Sequence, residues 1–107
     1  MIARMWSGVA RPETIDAYLA HLRDKTLPAI EGLEGHRGAY VLRRGAGEEV
    51  MVTVITLWES VDAIRRFSGD DVEAAVVPPE AQALLASWAV RAVHWDVVDI
   101  GRSLAHK

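Results

Sequence analysis

The chain has 107 residues, a formal net charge of −3 and a pI near 5.7, a length that holds one domain around one core. Its basic residues cluster no further than Arg43-Arg44 and Arg65-Arg66, which argues against a nucleic-acid or anionic-membrane surface. The absence of cysteine removes disulfides, thiol chemistry and thiolate metal sites, and no apolar run approaches the roughly 18 residues of a membrane span, so a soluble cytoplasmic protein is the expectation.

From Ile2 to Val9 the residues alternate as in a strand, with Ile2, Arg4 and Trp6 on one face and Ala3, Met5 and Ser7 on the other. Pro12 then suits a first helical position, and Glu13 and Asp16 suit the positive end of a helix dipole. Ile15, Leu19 and Leu22, with Tyr18 beside them, form the apolar stripe of that helix. Pro28 draws Leu27 away from helical dihedrals, so the helix is expected to end near Thr26. The glycine-punctuated stretch Glu31 to Gly38 reads as turn chemistry, because neither a Lys-Ser or Lys-Thr pair nor a helix follows it as a phosphate loop requires. Ala39 to Arg44 is the second strand, with Tyr40 and Leu42 on one face and Val41 and Arg43 on the other; Gly45 to Glu48 is a hairpin loop.

Glu49 to Trp58 is the chain's best strand, since stiff β-branched side chains favour a pleated backbone. Val50, Val52, Val54 and Trp58 point one way, and Met51, Ile55 and Leu57 the other. Both faces are apolar and need cover. One layer of helices covers only one of them, so a second copy of the sheet is the expected partner for the other.

Ser60 can cap a helix carrying Val61, Ile64 and Phe67, which Gly69 stops. Asp70-Asp71 can cap a further short piece through Val72, Ala75 and Val76, and after Pro78-Pro79 a third helical piece is expected from Glu80 to Trp88. Val90 to Ile100 alternates as a last strand, with His94 and Asp96 on one face and Val93 and Trp95 on the other; Gly101 to Lys107 is a polar tail beyond a single domain of residues 1–100. The order strand, helix, strand, strand, broken helix, strand is the ferredoxin-like split βαβ arrangement (βαββαβ). It predicts an α+β fold with a four-stranded antiparallel sheet, helices on one face, and two sheets packed as a dimeric barrel.

The element order, the Leu57-Trp58-Glu59-Ser60 corner followed by Asp62-Ala63-Ile64 and Phe67, and the Leu27-Pro28-Ala29 turn leading to Gly35 resemble the antibiotic-biosynthesis-monooxygenase (ABM) family of dimeric α+β barrel proteins. The resemblance implies a homodimer and a small-molecule ligand. That family includes cofactor-free oxygenases that convert phenolic or anthrone-like aromatics to quinones, and haem-degrading monooxygenases. The haem-degrading pattern has an Asn on the first strand, a Trp on the second helix and a His ten residues later. Counted from Trp58, those positions fall here near Met5 and at Phe67 and Val77, and none matches.

A quinone-forming enzyme needs no metal, because an electron-rich substrate anion can itself reduce oxygen; the protein must hold a flat aromatic, keep it deprotonated and exclude water. Candidate walls are Trp6, Tyr40, Trp58, Phe67 and Trp88, and the candidate catalytic polar groups are His94 as base and Arg4 as cation. Each has a plainer reading: Trp58 and Trp88 as core packing, His94 as a hydrogen-bonded sheet histidine. The four histidines never occur as a close pair, so no metal site and no cofactor is expected. Two functions follow: a small-molecule enzyme, either a cofactor-free oxidase or monooxygenase acting on a small aromatic or an isomerase using the same pocket type, or a non-catalytic dimeric binding module whose pocket its own side chains fill. A cavity above about 300 Å³ near Arg4 and His94 would favour the first.

Overall fold

A computed structural model of the chain describes residues 1–45 and 47–101. Ala46 of the hairpin loop and residues 102–107 of the polar tail lie outside the described residues.

The β-branched stretch forms its strand as expected. Strand β1 (Ile2–Ala10) pairs antiparallel with β3 (Val50–Trp58) over its whole length, from Ile2 opposite Trp58 to Ala10 opposite Val50. Strand β2 (His36–Arg44) lies on the other edge of β3, with a register shift between His36 and Gly38. The free edge of β1 takes two short strands: β4 (Leu85–Trp88) against Gly8 to Ala10, and β5 (Val93–Asp96) against Ile2 to Met5.

The sheet thus has five strands where the sequence predicted four, and Leu85 to Trp88 is extended, not helical. A short helical piece has little stability of its own, whereas β1 offers unpaired backbone groups to any extended segment beside it. Gly8 helps this close approach: a Cβ there would stand 2.9 Å from the Trp6 ring and 3.4 Å from Leu85. The last strand is also shorter than its alternation suggested, covering only Val93–Asp96.

Helix α1 (Ile15–His21) does not stop near Thr26. It widens into a π turn over Leu22–Thr26 and resumes as α2 (Leu27–Glu31). Leu27 keeps helical dihedrals, φ −64° and ψ −42°, and its N–H reaches back to the carbonyl of Leu22. The widened turn resolves the proline problem: Pro28 has no N–H to give and would crowd a carbonyl four residues earlier, and the extra residue in the turn shifts that register.

Helix α3 (Val61–Ser68) begins as expected, with Ser60 Oγ accepting from the Ala63 N–H at 3.1 Å, and Gly69 ends it at φ 83°. Asp70-Asp71 starts no helix. The following residues make one turn and then run as a strap to Pro78, stitched to the loop before β5 by Ala75 N–H to Val90 O at 3.0 Å and Ala92 N–H to Glu73 O at 2.7 Å. One helical turn, α4 (Pro79–Gln82), leads into β4.

The helices bury one face of the sheet. Val50, Val52 and Val54 pack with Ile15, Tyr18 and Leu22, and Trp58 packs with Ile30, Ala63 and Ile64. The other face is apolar as expected and is uncovered in the single chain, where Tyr40, Leu42, Met51, Val93 and Trp95 are exposed.

Candidate functional site

A cavity of about 50 Å³ lies between the sheet and the helices. Its floor is Arg4 and Trp6 of β1 with Val54 and Thr56 of β3, and its roof is Tyr18, His21, Leu22, Thr26 and Ile30. Phe67 of α3 and the strap residues Val76, Val77 and Pro78 close the remaining side. Strand alternation explains the floor: Arg4 and Trp6 share the helix-facing side of β1, and their partners Thr56 and Val54 share that side of β3. The volume is below the roughly 300 Å³ of ordinary ligand pockets, so the cavity size that would favour the enzyme reading is not met.

Arg4 organises one end. Although a guanidinium, it is only 3% exposed. It donates from Nη1 to the carbonyl of Val72 and from Nη2 to the carbonyl of Ala74 at 2.7 Å, tying the strap to β1. Its guanidinium carbon lies 5.5 Å from the centre of the Phe67 ring, within cation–π range. Burial pushes the Arg4 pKa down, and the nearby Glu73 carboxylate partly offsets that.

His94 sits beside Arg4, with Nε2 3.0 Å from Nη1, and does not line the cavity. Since a guanidinium can only donate, His94 accepts through an unprotonated Nε2. Burial first, and the Arg4 charge second, lower its pKa. The sequence placed His94 as a base facing a ligand; the structure places it behind Arg4 as that residue's acceptor.

The candidate walls divide. Trp6 and Phe67 join Arg4 at the cavity, with Trp6 fixed by its Nε1 donating to Ala89 O at 2.7 Å. Trp58 is fully buried next to the cavity: its Nε1 donates to Thr56 Oγ1 at 2.8 Å and its ring stacks on Phe67 at 6.0 Å, so it supports the wall without being one. Trp88 packs half-buried against the core from β4 and does not reach the cavity. Tyr40 pairs with Ile55 and therefore projects from the uncovered face, on the far side of the sheet.

The residue that sequence reading passed over is His21. It ends α1, its ring stacks on Tyr18 at 6.4 Å with 17° between planes, and it lines the cavity. Its Nε2 is shut off from solvent and has no hydrogen-bond partner among the described residues. Leaving a buried polar atom unpaired costs about 1–3 kcal/mol. The signal was in the sequence, since His21 lies three residues after Tyr18 on one helix face. Burial pushes the pKa of Tyr18 itself up, so its phenol stays neutral at ordinary pH.

No family model matches the chain. It is 27% identical over 100 residues to the uncharacterised proteins MT2635 and Rv2558 from two strains of Mycobacterium tuberculosis. That stretch is 94% of this chain and 40% of theirs, so the chain spans about two fifths of the length of the curated relatives it matches. Among solved structures it is similar to a mutant of MhuD with two manganese protoporphyrin IX bound per active site, at TM-score 0.61 and 21% identity, covering 95% of this chain and 100% of that one. A second structure of MhuD, the heme-degrader from M. tuberculosis with two hemes in its active site, gives TM-score 0.59 and 21% identity over 94% and 100% of the two chains. SnoaB, a cofactor-independent oxygenase from Streptomyces nogalater, gives TM-score 0.54 and 17% identity over 92% and 95%. The chain shares the fold of these structures. At these identities the likeness establishes the ferredoxin-like α+β architecture, and the chemistry has to come from the residues.

Phe67 and Val77, where the haem-degrading pattern counted from Trp58 puts its Trp and His, both line the cavity, and Met5, near its Asn position, pairs with Ile55 on the uncovered face. His21 is the one imidazole in the lining among the described residues.

Proposed function

We propose that the chain is a small-molecule oxygenase of the monooxygenase type, acting without a cofactor on a small aromatic held between the sheet and the helices. The observation that carries this reading is the lining of the cavity, where apolar and aromatic walls meet a buried guanidinium and the His21 imidazole. In the reaction, a substrate anion of the anthrone class reduces oxygen: a CH₂ group and one O₂ become a carbonyl and one water, with the electrons drawn from the carbon being oxidised. A ring would need the strap from Asp70 to Pro78 to lift, because a 50 Å³ cavity does not hold one.

Two observations favour a second reading. The 50 Å³ volume and the engagement of Arg4 with strap carbonyls also suit a non-catalytic module whose pocket is filled by its own side chains. Oxygen consumption with anthrone, with the product followed by its absorbance, separates the two. Turnover to the quinone supports the oxygenase; no turnover and no binding leaves the filled module, and a haemin titration alongside that produced a saturable 1:1 spectral shift would move the ligand class to porphyrins.

In either reading we propose that two chains pair through the uncovered sheet face. Tyr40, Leu42, Met51, Val93 and Trp95 together form an apolar area larger than single exposed residues need explain.

A further inference from the structure

We propose that Nε2 of His21 is the hydrogen-bonding anchor for a ligand hydroxyl, so that the cavity selects a hydroxylated aromatic ring over the corresponding hydrocarbon. The inference rests on the proposed ligand-binding role of this cavity and names the group that would read the ligand.

Two of the other polar side chains at the cavity are already engaged, and the hydroxyls of Tyr18 and Thr26 also line it. Arg4 gives its N–H groups to Val72 O and Ala74 O and faces His94, and Thr56 Oγ1 accepts from Trp58 Nε1. His21 Nε2 is shut off from solvent and has no hydrogen-bond partner among the described residues. Its position is set from two sides: the helical backbone at the end of α1 and the stacked Tyr18 ring. A buried nitrogen held in place and left unpaired rewards a ligand that completes it. It equally penalises one that only fills space, because a site built to hydrogen-bond a hydroxyl rejects the analogue that lacks it. Leu22, Ile30, Val54 and Phe67 supply the apolar surround that takes the ring.

Phenol and toluene are nearly the same shape and differ by the hydroxyl, so the test is their relative affinity by calorimetric titration. The wild-type chain is expected to prefer phenol by about tenfold. His21→Phe, which keeps a ring and removes the nitrogen, is expected to abolish that preference, and His21→Gln, which keeps an acceptor, to retain part of it. If both probes bind and His21→Phe keeps the preference, the role of His21 is overturned and the pocket stands. If neither probe binds the wild type, the ligand-binding reading of the cavity falls and this inference with it. A readout that needs no variant is the ¹⁵N shift of His21 Nε2 in the intact chain: a change with phenol and not with toluene supports the assignment, and no change with bound phenol overturns it.

Discussion

The imidazole Nε2 of His94 accepts from Nη1 of Arg4 at 3.0 Å, which couples the protonation of the last strand to the strap that closes the cavity. A protonated His94 would lose its acceptor and set two cations against each other. Glu73 faces both from the strap, but it is itself paired with Arg91, which also holds Asp71.

The pH dependence of stability follows in sign. The folded pKa of His94 is depressed below its ordinary value of about 6.5, so between the two values the unfolded chain binds the extra proton. The stability is fully present above about pH 6.5 and is lost as pH falls toward the folded pKa. His36, whose pKa burial also lowers, adds a contribution of the same sign. The thermal midpoint should therefore drop between about pH 7 and pH 5, and His94→Gln should flatten part of that slope, leaving the His36 share. An unchanged slope in His94→Gln would remove His94 from the switch.

Arg4→Met tests the strap directly. The variant keeps most of the side-chain bulk but leaves the carbonyls of Val72 and Ala74 without their guanidinium donors. Stability should fall by about 2–3 kcal/mol, the range for losing hydrogen bonds from a charged group. Hydrogen exchange in the segment from Asp70 to Pro78 should rise more than in β3, because β3 keeps its ladders to β1 and β2. Uniform acceleration across both segments would show that Arg4 holds the whole core and not the strap.

Gly35 fixes how α3 meets the turn before β2. Its φ of 92° lies in the left-handed region, and a Cβ there would stand 2.5 Å from the Cβ of Ala63. Both neighbours are held: the Glu59 N–H donates to Gly35 O at 2.8 Å, and Ala63 is buried in the first turn of α3. Gly35→Ala should cost about 2–3 kcal/mol, combining backbone strain with a clash that no flexible side chain can relieve. Urea unfolding monitored by tryptophan fluorescence measures it, and a cost under about 0.5 kcal/mol would mean that the turn repacks freely.

The fold was legible where one physical signal dominated: the alternation that makes β3, the Ser60 cap and the Gly69 stop. It was not legible where long-range pairing overrode local preference. Leu84, Leu85 and Trp88 have helical spacing, but the open edge of β1 draws Leu85 to Trp88 into a strand. Pro28 reads as a helix stop, and the π turn from Leu22 to Thr26 carries the chain past it. At the site, Arg4, Trp6 and Phe67 come together as expected because strand and helix periods place them on inward faces. Tyr40 falls on the other side of the sheet because it pairs with Ile55 of β3. His21 was missed because a single histidine on a mostly apolar stripe looks like packing until its Nε2 is seen to lack a partner.

Ile55 is the position from which to test the sheet-to-sheet pairing. It lies mid-strand on the uncovered face, opposite Met5 of β1 and Tyr40 of β2, so in two facing sheets it would be central to the contact. A carboxylate placed there would be buried between apolar surfaces without a partner, a cost of several kcal/mol that the contact would have to bear twice. In the single chain the same carboxylate would face water and disturb little. Ile55→Glu should therefore convert a particle of twice the 11.8 kDa chain mass into one of the chain mass, as measured by light scattering after size exclusion. Its circular dichroism should stay that of the wild type. A wild-type chain that already runs as a monomer would refute the pairing, and an Ile55→Glu dimer would place the contact on some other surface.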